Sequence, residues 1–264
     1  MNHLNRSALK MKNGLLYFEV PEIANIHWVC HAFLTRKGGS SLPPYDSLNL
    51  SEDNGDEMRE VARNRLRVAN AFGFEEKTLV LLDQVHKDQV LLLEEQGLPP
   101  PPRHYDAVIT ARPHTLLGIL TADCIPIFVV DQNKQVIAAI HAGRQGTALH
   151  ITRKVLKRME EEFGCATKDL LVSLGPSIGS CCYEIDDKVF LPEWESYSTP
   201  SGNGKRMLDL ARINIDLLKG EGIEEDQIFC IDLCTGCHRD LFYSYRKEGR
   251  TGRQLSFIGI IDKI

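Results

Sequence analysis

The chain has 264 residues, of which 43% are hydrophobic and 25% are charged, and its formal net charge is −5. These values are typical of a globular protein and exclude a disordered chain or a coiled coil. A chain of this length folds without needing a disulfide or a metal, and its mild acidity argues against nucleic acid as a partner.

The first residues are polar and contain no apolar export segment, so we expect a flexible N-terminus over residues 1–14. The longest apolar run, 116–130, contains Asp123 and Pro126. It is shorter than the ~20 apolar residues that a membrane-spanning helix needs. We therefore predict a cytoplasmic protein without a membrane partner, whose cysteines are thiols because that compartment is reducing.

Strands outnumber helices along the rest of the chain. Aliphatic and aromatic runs predict strands at 15–20, 28–33, 78–82, 90–93, 107–110, 116–120 running on into 125–130, 136–140, 170–174, 228–233 and 255–261. Apolar residues at helical spacing predict helices at 56–72, 146–163 and 207–218. The four prolines at 99–102 predict a stiff polyproline stretch that is a linker within a loop. Without regular βαβ alternation, this order favours a single α+β domain over 15–264.

Three residues at the ends of predicted strands can carry chemistry, namely His86, Cys124 and His141. Two imidazoles and one thiolate form a zinc set with an open fourth position for water. Zinc lowers the pKa of such a water to near neutrality. The same cysteine and histidine can instead be a nucleophile and its base. A packed thiol beside two ordinary histidines is the third interpretation, and the spacing leaves all three open.

Two other cysteine patterns invite a chemical interpretation. The segment Cys234-Thr235-Gly236-Cys237-His238 matches the haem-attachment pattern and also contains a potential redox dithiol. Haem attachment of this type accompanies export, which we do not expect here. We therefore interpret the segment as a structural turn with incidental thiols. The adjacent Cys181 and Cys182 are interpreted as a packed pair near a functional loop, because neighbouring cysteines do not easily form a disulfide.

Two segments combine groups that bind anions or bases. Arg36 precedes a Gly-rich and Ser-rich loop at 37–41, whose backbone N–H groups can bind an anion, although this is not a Walker motif. Tyr243-Ser244-Tyr245-Arg246, with Arg250 and Arg253, can stack on a base or hold a phosphate. A surface turn and a solvated basic edge are the alternative interpretations.

Taken together, short motifs from about residue 15 to the end of the chain form an ordered set. They are His31-Ala32-Phe33, Thr35-Arg36-Lys37-Gly38-Gly39-Ser40, Ser47-Leu48-Asn49-Leu50, Asn64-Arg65, Gln84-Val85-His86, Asp106-Ala107, Ala122-Asp123-Cys124, His141-Ala142-Gly143, Gly175-Pro176-Ser177-Ile178, Cys182-Tyr183-Glu184, Cys234-Thr235, Phe242-Tyr243-Ser244-Tyr245-Arg246 and Thr251-Gly252-Arg253. In this order the set resembles the bacterial polyphenol oxidase or laccase-domain family. That family is also called the peptidoglycan editing factor family, and its animal relatives include a purine nucleoside enzyme of immune cells.

The resemblance implies a fold and a metal site. The implied fold is a mixed β-sandwich flanked by helices in four α/β/β/α layers, shared with toxin-type cysteine hydrolases. The implied zinc ligands fall on the histidine of Gln-Val-His, the cysteine of Ala-Asp-Cys and the histidine of His-Ala-Gly. These positions are His86, Cys124 and His141, which we also expect to be the catalytic residues. Copper is the alternative ion.

The resemblance also implies activities and partners. They are phosphorolysis of adenosine, inosine and methylthioadenosine, and hydrolytic deamination of adenosine. The partners are then a small-molecule nucleoside and phosphate, and we expect a monomer or weak homodimer. The residues that we expect to contact substrate are Arg36, Asn49, Asp106, Asp123 and Arg246.

One departure from the family pattern bears on the substrate. The family usually has His-Ala-Gly-Trp-Arg-Gly-Thr, whereas this chain has Arg144 and Gln145 in place of the tryptophan and arginine. Arg144 can supply the displaced charge from the neighbouring position.

Other functions remain as alternatives. One is a cysteine amidase acting in peptidoglycan precursor editing, with Cys124 as nucleophile and His141 as base. Another is copper-dependent phenol oxidation. The sequence argues against it, because it contains no His-x-His pair from which to build a copper cluster. The last is a binding protein without catalysis.

Overall fold

The computed structural model describes residues 8–93 and 104–261. Its strands, in chain order, are β1 Ala8–Lys12, β2 Leu15–Glu19, β3 Val29–Leu34, β4 Leu79–Leu81, β5 Val90–Leu93, β6 Ala107–Thr110, β7 Thr115–Thr121, β8 Ile125–Asp131, β9 Val136–Ala142, β10 Leu170–Leu174, β11 Glu184–Asp186, β12 Ser198–Gly202, β13 Lys205–Leu208, β14 Ile228–Cys230 and β15 Gln254–Ile260. The polyproline prediction at 99–102 lies outside the described residues.

The helices are fewer and mostly short. The α-helices are α1 Pro21–Ala24, α2 Met58–Phe72, α3 Arg144–Ala148, α4 Ile151–Phe163, α5 Leu210–Gly220 and α6 Tyr245–Glu248. Short 3₁₀ helices occur at Glu76–Thr78, Thr167–Asp169, Asp187–Val189, Pro192–Tyr197 and Glu225–Gln227. In the described part of the chain, no helix is long and apolar enough to cross a bilayer.

Most strands belong to two mixed six-stranded sheets. The first sheet has the order β1-β2-β3-β15-β7-β4 and the second has the order β14-β10-β8-β9-β6-β5. Each contains mostly antiparallel pairs with parallel pairs toward its edges, such as β4 with β7 and β5 with β6. A separate three-stranded sheet has the order β11-β13-β12.

The two large sheets pack face to face. Along β8, Phe128 belongs to the core between the sheets, while its neighbour Ile127 belongs to the core under α4 and α5. Phe128 stacks on Phe33 of the first sheet with ring centroids 4.7 Å apart. The outer face of the first sheet packs against α2 through residues such as Val68. Because alternate side chains of each strand fill different layers, the order is helix, sheet, sheet, helix, and the predicted mixed α+β class is confirmed. The likeness to toxin-type cysteine hydrolases stays a prediction.

The N-terminal segment differs from its prediction. Residues 8–12 form β1, which pairs antiparallel with β2 from Ala8 opposite Glu19 to Lys12 opposite Leu15. The expected flexibility of 1–14 is therefore wrong for these residues. A tight turn at Asn13 and Gly14 reverses the chain, so that the backbone of β1 forms hydrogen bonds with the backbone of β2. Residues 1–7 lie outside the described residues.

The apolar run at 116–130 also differs, since it is not one continuous strand. β7 lies in the first sheet and β8 in the second. The connection at 122–124 contains Asp123 with a φ of 101°. A polar residue in this conformation breaks the strand, and the chain passes from one sheet to the other at that point.

Two predicted helices have different boundaries. The predicted helix at 146–163 is two helices, α3 and α4, separated at His150, whose φ is 57°. The predicted helix at 207–218 begins only after Asp209, whose side chain accepts a hydrogen bond from the backbone N of Arg212 at 2.9 Å. Met207 and Leu208 belong instead to β13, because their segment pairs with β11 and β12.

A buried asparagine joins the three helices next to the second sheet. Asn214 of α5 is fully buried, donates to the Thr147 hydroxyl of α3 at 3.0 Å, and accepts from the Thr152 hydroxyl of α4 at 3.1 Å. We expect Asn214→Ala to lower the free energy of unfolding by about 1–3 kcal/mol, because two buried hydroxyl groups lose their partner. Urea unfolding measures this loss. Asn70→Ala, at an exposed position of α2, is the control, and an equal effect of both substitutions would contradict the prediction.

Candidate active site and metal centre

Cys124 lies where the chain passes between the two sheets. It follows Asp123 and directly precedes β8, whose Ile125 pairs with Ala142 of β9. The backbone carbonyl of Asp123 accepts a hydrogen bond from the N–H of Ile178 at 2.9 Å, so a neighbouring loop holds this turn. Cys124 is therefore held at the start of the buried strand β8, which pairs with β9, and its thiol is only partly exposed.

His141 stands beside Cys124 near the end of β9, where it pairs with Pro126 of β8. Its side chain is 2% exposed and its Nδ1 lies 2.8 Å from Oδ1 of Asp106. The fully buried Asp106 precedes β6, the other neighbour of β9 in the sheet. Because Asp106 binds Nδ1, the other ring nitrogen, Nε2, is left to face Cys124.

His86 reaches the same place from a turn after β4, where its φ is 60°. The Asp106 carboxylate accepts hydrogen bonds from the backbone N–H groups of Val85 at 3.3 Å, His86 at 2.8 Å and Lys87 at 2.8 Å. The side-chain amide of Gln84 both donates to and accepts from the backbone of Leu120, each at 2.8 Å. Asp106 therefore orients both histidines, one through its ring and the other through its backbone.

The three side chains converge closely enough to share one ion. Their ligand atoms all lie within 4.8 Å of one another, and the two imidazole rings meet edge to face with centroids 4.7 Å apart. At Gly143, a Cβ would come within 2.9 Å of the Cys124 Sγ and 3.3 Å of the His86 ring. Only glycine leaves room for this approach of backbone to ligands.

The site also separates charge strongly. Burial alone would raise the pKa of Cys124, but the charge and hydrogen bonds of His141 and His86 outweigh it and lower the pKa to about 6. Burial opposes protonation of His141, yet the Cys124 thiolate and Asp106 raise its pKa to about 9. The metal-free site therefore holds a thiolate next to an imidazolium near neutral pH.

Thiol alkylation tests this charge separation. In chelator-treated protein, we expect the rate of Cys124 alkylation by iodoacetamide to rise with pH through an inflection near 6, because the thiolate is the reacting form. Cys30 is the internal control, since burial raises its pKa and its alkylation should require a more alkaline pH. Peptide mass spectrometry separates the two thiols. An inflection for Cys124 at or above that of an ordinary thiol, about 8.5, would show that the pair is not ionised.

The three residues face a cleft of about 680 Å³, a volume typical of small-molecule sites. Its lining residues are Ser51, Asp53, Asn54, Leu82, Asp83, Gln84, His86, Leu120, Thr121, Ala122, Asp123, Cys124, His141, Arg144, Gln145, Tyr183, Tyr245, Arg246 and Arg253. Two of the arginines lie over aromatic rings. The Arg246 guanidinium is 5.0 Å from the Tyr183 ring centroid, and that of Arg253 is 5.9 Å from the Tyr245 centroid.

Two of the expected substrate-binding residues lie in this lining, namely Asp123 and Arg246. The Asp123 carboxylate accepts from the Thr235 hydroxyl and from the backbone N of Arg246, both at 2.7 Å. The Arg246 side chain donates to the backbone carbonyl of Glu184. The cleft therefore contains a fixed carboxylate next to the Cys124 thiol and an arginine at its side.

The other three expected residues lie outside the cleft lining, and their contact with substrate stays a prediction. Arg36 is 5% exposed, and its guanidinium pairs with Glu248 at 2.8 Å and donates to the backbone carbonyl of Arg239 at 2.9 Å. Buried Asn49 accepts from the backbone N of Arg253 at 2.9 Å and so supports a lining residue. Asp106 orients the histidines. Each was chosen by residue type, and each is occupied by partners distant in the sequence.

The sequence reasoning underrated several lining residues. Tyr245 and Arg253, which the sequence offers as groups that stack on a base or hold a phosphate, both line the cleft, and Tyr183, present in the sequence analysis only as a motif member, lines it too. The signal for the first two was the mixture of aromatic and basic residues at 243–253. Arg144 also lines the cleft, at the position where the sequence departs from the family pattern.

Comparisons with known proteins agree along nearly the whole chain. The sequence profile of the family described as multi-copper polyphenol oxidoreductase laccase matches residues 30–261. A protein of Deinococcus radiodurans named purine nucleoside phosphorylase is 37% identical over 94% of each chain. One of the same name from Bacteroides thetaiotaomicron is 34% identical, covering 96% of this chain and 98% of its own. The crystal structure of the Bacillus licheniformis hypothetical protein YfiH superposes with a TM-score of 0.88 at 31% identity, covering 97% of this chain and 99% of that one.

Proposed function

The chain belongs to the multi-copper polyphenol oxidoreductase laccase family, and we propose that it is a zinc-dependent purine nucleoside phosphorylase. The proposed substrates are adenosine, inosine and methylthioadenosine together with phosphate. Hydrolytic deamination of adenosine is proposed as a second activity of the same cleft. The family membership confirms the resemblance drawn from the sequence. The observation that carries the proposal is one cleft that combines His86, Cys124 and His141 with three arginines and two tyrosines.

The residues present fit a metal ion. His86, Cys124 and His141 would hold it, and Asp106 stands behind His141 as a carboxylate does behind a metal-bound histidine. When bound, zinc supplies Lewis acidity. Two imidazoles and one thiolate leave one tetrahedral position open, which is the arrangement of catalytic zinc sites. Blue-copper sites use the same three ligands with a weak axial methionine or glutamine, and copper is the alternative ion.

Phosphorolysis joins a phosphate oxygen to ribose C1′ and breaks the bond from C1′ to the purine nitrogen, which then gains a proton. Arg144, Arg246 and Arg253 provide positive charge for the phosphate. Tyr183 and Tyr245 offer aromatic surface for the purine. The Asp123 carboxylate accepts a hydrogen bond from a ribose hydroxyl. Each of its oxygens has a lone pair free for this bond besides the one used by Thr235 or Arg246.

A second candidate is a cysteine amidase. It is favoured by the Cys124 thiolate and the protonated His141, with Asp106 on the other ring nitrogen of that histidine. Nucleophile, base and orienting carboxylate are the arrangement of cysteine hydrolases. Copper-dependent phenol oxidation is the weaker alternative, because a multi-copper centre needs more imidazoles than the two among the described lining residues.

The deciding experiment incubates zinc-loaded protein with adenosine and phosphate and separates the products by chromatography. We expect adenine and ribose 1-phosphate, both absent when phosphate is omitted. Inosine formed without phosphate would demonstrate deamination. Cys30→Ser, at a thiol outside the cleft lining, should behave like the unchanged protein.

Chelation and thiol alkylation distinguish the alternatives, each measured on its own substrate. Loss of turnover on chelation and its return with zinc support the zinc enzyme, whereas a cysteine amidase survives chelators and is inactivated by thiol alkylation. No conversion of any proposed nucleoside by protein shown to contain zinc would overturn the proposal. Muramyl-peptide precursors would then be the substrates to test.

A further inference from the structure

Four cysteines outside the candidate active site come together at a second place. They are Cys181, Cys182, Cys234 and Cys237, whose sulfur atoms all lie within 4.8 Å of one another. The Sγ of Cys237 is 3.4 Å from that of Cys181 and 3.6 Å from that of Cys182. The sequence analysis interprets Cys181 and Cys182 as a packed pair and 234–238 as a structural turn with incidental thiols, and the fold joins these two segments across more than fifty positions.

Backbone contacts bring the two segments together. The N–H of Cys182 donates to the carbonyl of Gly179 at 2.9 Å, which closes one turn. In the other turn, the carbonyl of Cys234 accepts from the N–H of Cys237 at 3.1 Å and of His238 at 3.0 Å. The turns meet where the N–H of Thr235 donates to the Ser177 carbonyl at 3.0 Å. The thiols are thus placed by ordinary main-chain hydrogen bonds.

Two glycines permit the close approach of the thiols. A Cβ at Gly236 would lie 3.0 Å from the Cβ and 3.1 Å from the Sγ of Cys182. A Cβ at Gly179 would lie 3.3 Å from the Cβ of Cys234. The N–H of Gly179 also donates to the Sγ of Cys234 at 3.2 Å. A backbone N–H directed at sulfur stabilises a thiolate, which is the form that binds metal.

We propose that these four cysteines bind one zinc ion in a closed tetrahedral site that is separate from the His86–Cys124–His141 centre. Zinc–sulfur bonds of about 2.3 Å in a tetrahedron place the sulfurs about 3.8 Å apart. Two of the observed separations, 3.4 Å and 3.6 Å, are slightly shorter than that value, and every pair of sulfurs lies within 4.8 Å. Each thiol releases its proton to solvent as it binds. Cys181 and Cys237 are exposed, so the ion can enter directly.

The geometry favours one ion over other uses of the thiols. A disulfide pairs each sulfur with one partner, whereas Cys237 lies at similar distances from two sulfurs. His238 follows the cluster but is not part of it: the ligand atoms that lie within 4.8 Å of one another are the four sulfurs, and the Nδ1 of His238 lies 3.0 Å from the carbonyl oxygen of Cys234. A Cys-x-x-Cys turn is also the usual spacing of a structural zinc site.

The site links both segments to the cleft. Tyr183 follows Cys182 directly and lines the cleft. Thr235 follows Cys234, and its hydroxyl donates to Asp123 next to Cys124. Zinc bound by all four cysteines would therefore hold together the two loops that position one wall of the cleft. Since all four of its positions are filled by sulfur, its role is structural.

The test measures metal content in the absence of the other centre, so it does not depend on nucleoside turnover. Cys124→Ala protein, purified with a thiol reductant, should retain about one zinc ion per chain by elemental mass spectrometry. Adding Cys234→Ser and Cys237→Ser should remove it. Adding Cys30→Ser, at a thiol outside the cluster, should leave it in place. Cobalt in place of zinc should give sulfur-to-cobalt charge-transfer absorption and tetrahedral bands only when the four cysteines are intact.

Several outcomes would overturn the proposal. They are absence of zinc from Cys124→Ala, equal zinc in the serine variants, iron in place of zinc, or a thiol count in unreduced protein that shows disulfides among the four cysteines. If the serine variants fail to fold, the exposed Cys181→Ser provides the same comparison with cobalt. Chelation should lower the Tm of Cys124→Ala but not that of Cys124→Ala carrying Cys181→Ser, and an equal shift in both would contradict the site.

Discussion

Cys124→Ala should lower kcat/KM for adenosine phosphorolysis by roughly 10³-fold or more. When several residues act as one catalytic unit, removing one of them costs nearly as much activity as removing all of them. The substitution removes the sulfur ligand and the negative charge that raises the pKa of His141. Two imidazoles remain, and their affinity for zinc is far lower than that of the three-ligand set. Steady-state kinetics and zinc content of the same preparation measure the two losses together.

The controls separate chemistry from folding. Cys30→Ser should retain both activity and zinc. After chelation, Cys124→Ala should keep its Tm near that of chelated wild-type protein, because the thiol is only partly buried. Wild-type rates in Cys124→Ala would place the reaction elsewhere in the molecule. Loss of zinc without loss of turnover would remove the metal from the mechanism.

Asp106→Asn is expected to lower kcat/KM roughly 10–100-fold, the usual effect of losing the group that orients a metal ligand. The carboxylate accepts three backbone N–H groups and the His141 ring, and an amide has only one oxygen to replace two. Whichever way the amide is turned, its NH₂ group would face N–H donors and could not form a hydrogen bond with them. Both histidines should therefore lose their position, although Asp106 is outside the cleft lining.

The pH dependence of Cys124 alkylation shows whether Asp106 acts by positioning the histidines. Asp106 favours the imidazolium of His141, which in turn favours the Cys124 thiolate. In Asp106→Asn, the inflection of Cys124 alkylation should therefore move to higher pH. Asp131→Asn is the matched control, since Asp131 is equally buried and accepts two backbone N–H groups in the turn between β8 and β9. If Asp131→Asn lowers stability and activity as much as Asp106→Asn does, the effect on activity is a general loss of packing.

The three candidate metal ligands could be predicted from the sequence because their positions follow from local rules. The sequence pattern places His86, Cys124 and His141 near the ends of apolar runs, and in the structure they lie in the turn after β4, directly before β8 and in the last two residues of β9. A chemically active side chain at the end of a strand is supported by the sheet and open to a cleft. The motif resemblance then selected these three from the nine histidines and eight cysteines of the chain.

The arginines proposed to bind phosphate could be predicted from the sequence only in part. Arg36 has the right charge in a Gly-rich loop, yet its partner Glu248 lies 212 positions away and occupies its guanidinium. Residue type says what a side chain can bind, but only the folded chain shows which partner has already bound it. Arg253 shows the opposite case. Asn49, which is distant in the sequence, accepts a hydrogen bond from the backbone N–H of Arg253 and so holds this arginine at the cleft.

The sequence by itself determined the class of fold, the strands and helices of the interior, the three candidate metal ligands and the family, because these depend on neighbouring residues and on motif order. The tertiary structure alone decided that 116–130 divides between two sheets, that Asp106 orients both histidines, and that four cysteines share one place. All three depend on contacts between residues far apart in the chain. Such contacts form only when the sheets and loops pack, and local sequence does not encode which distant partner will be met.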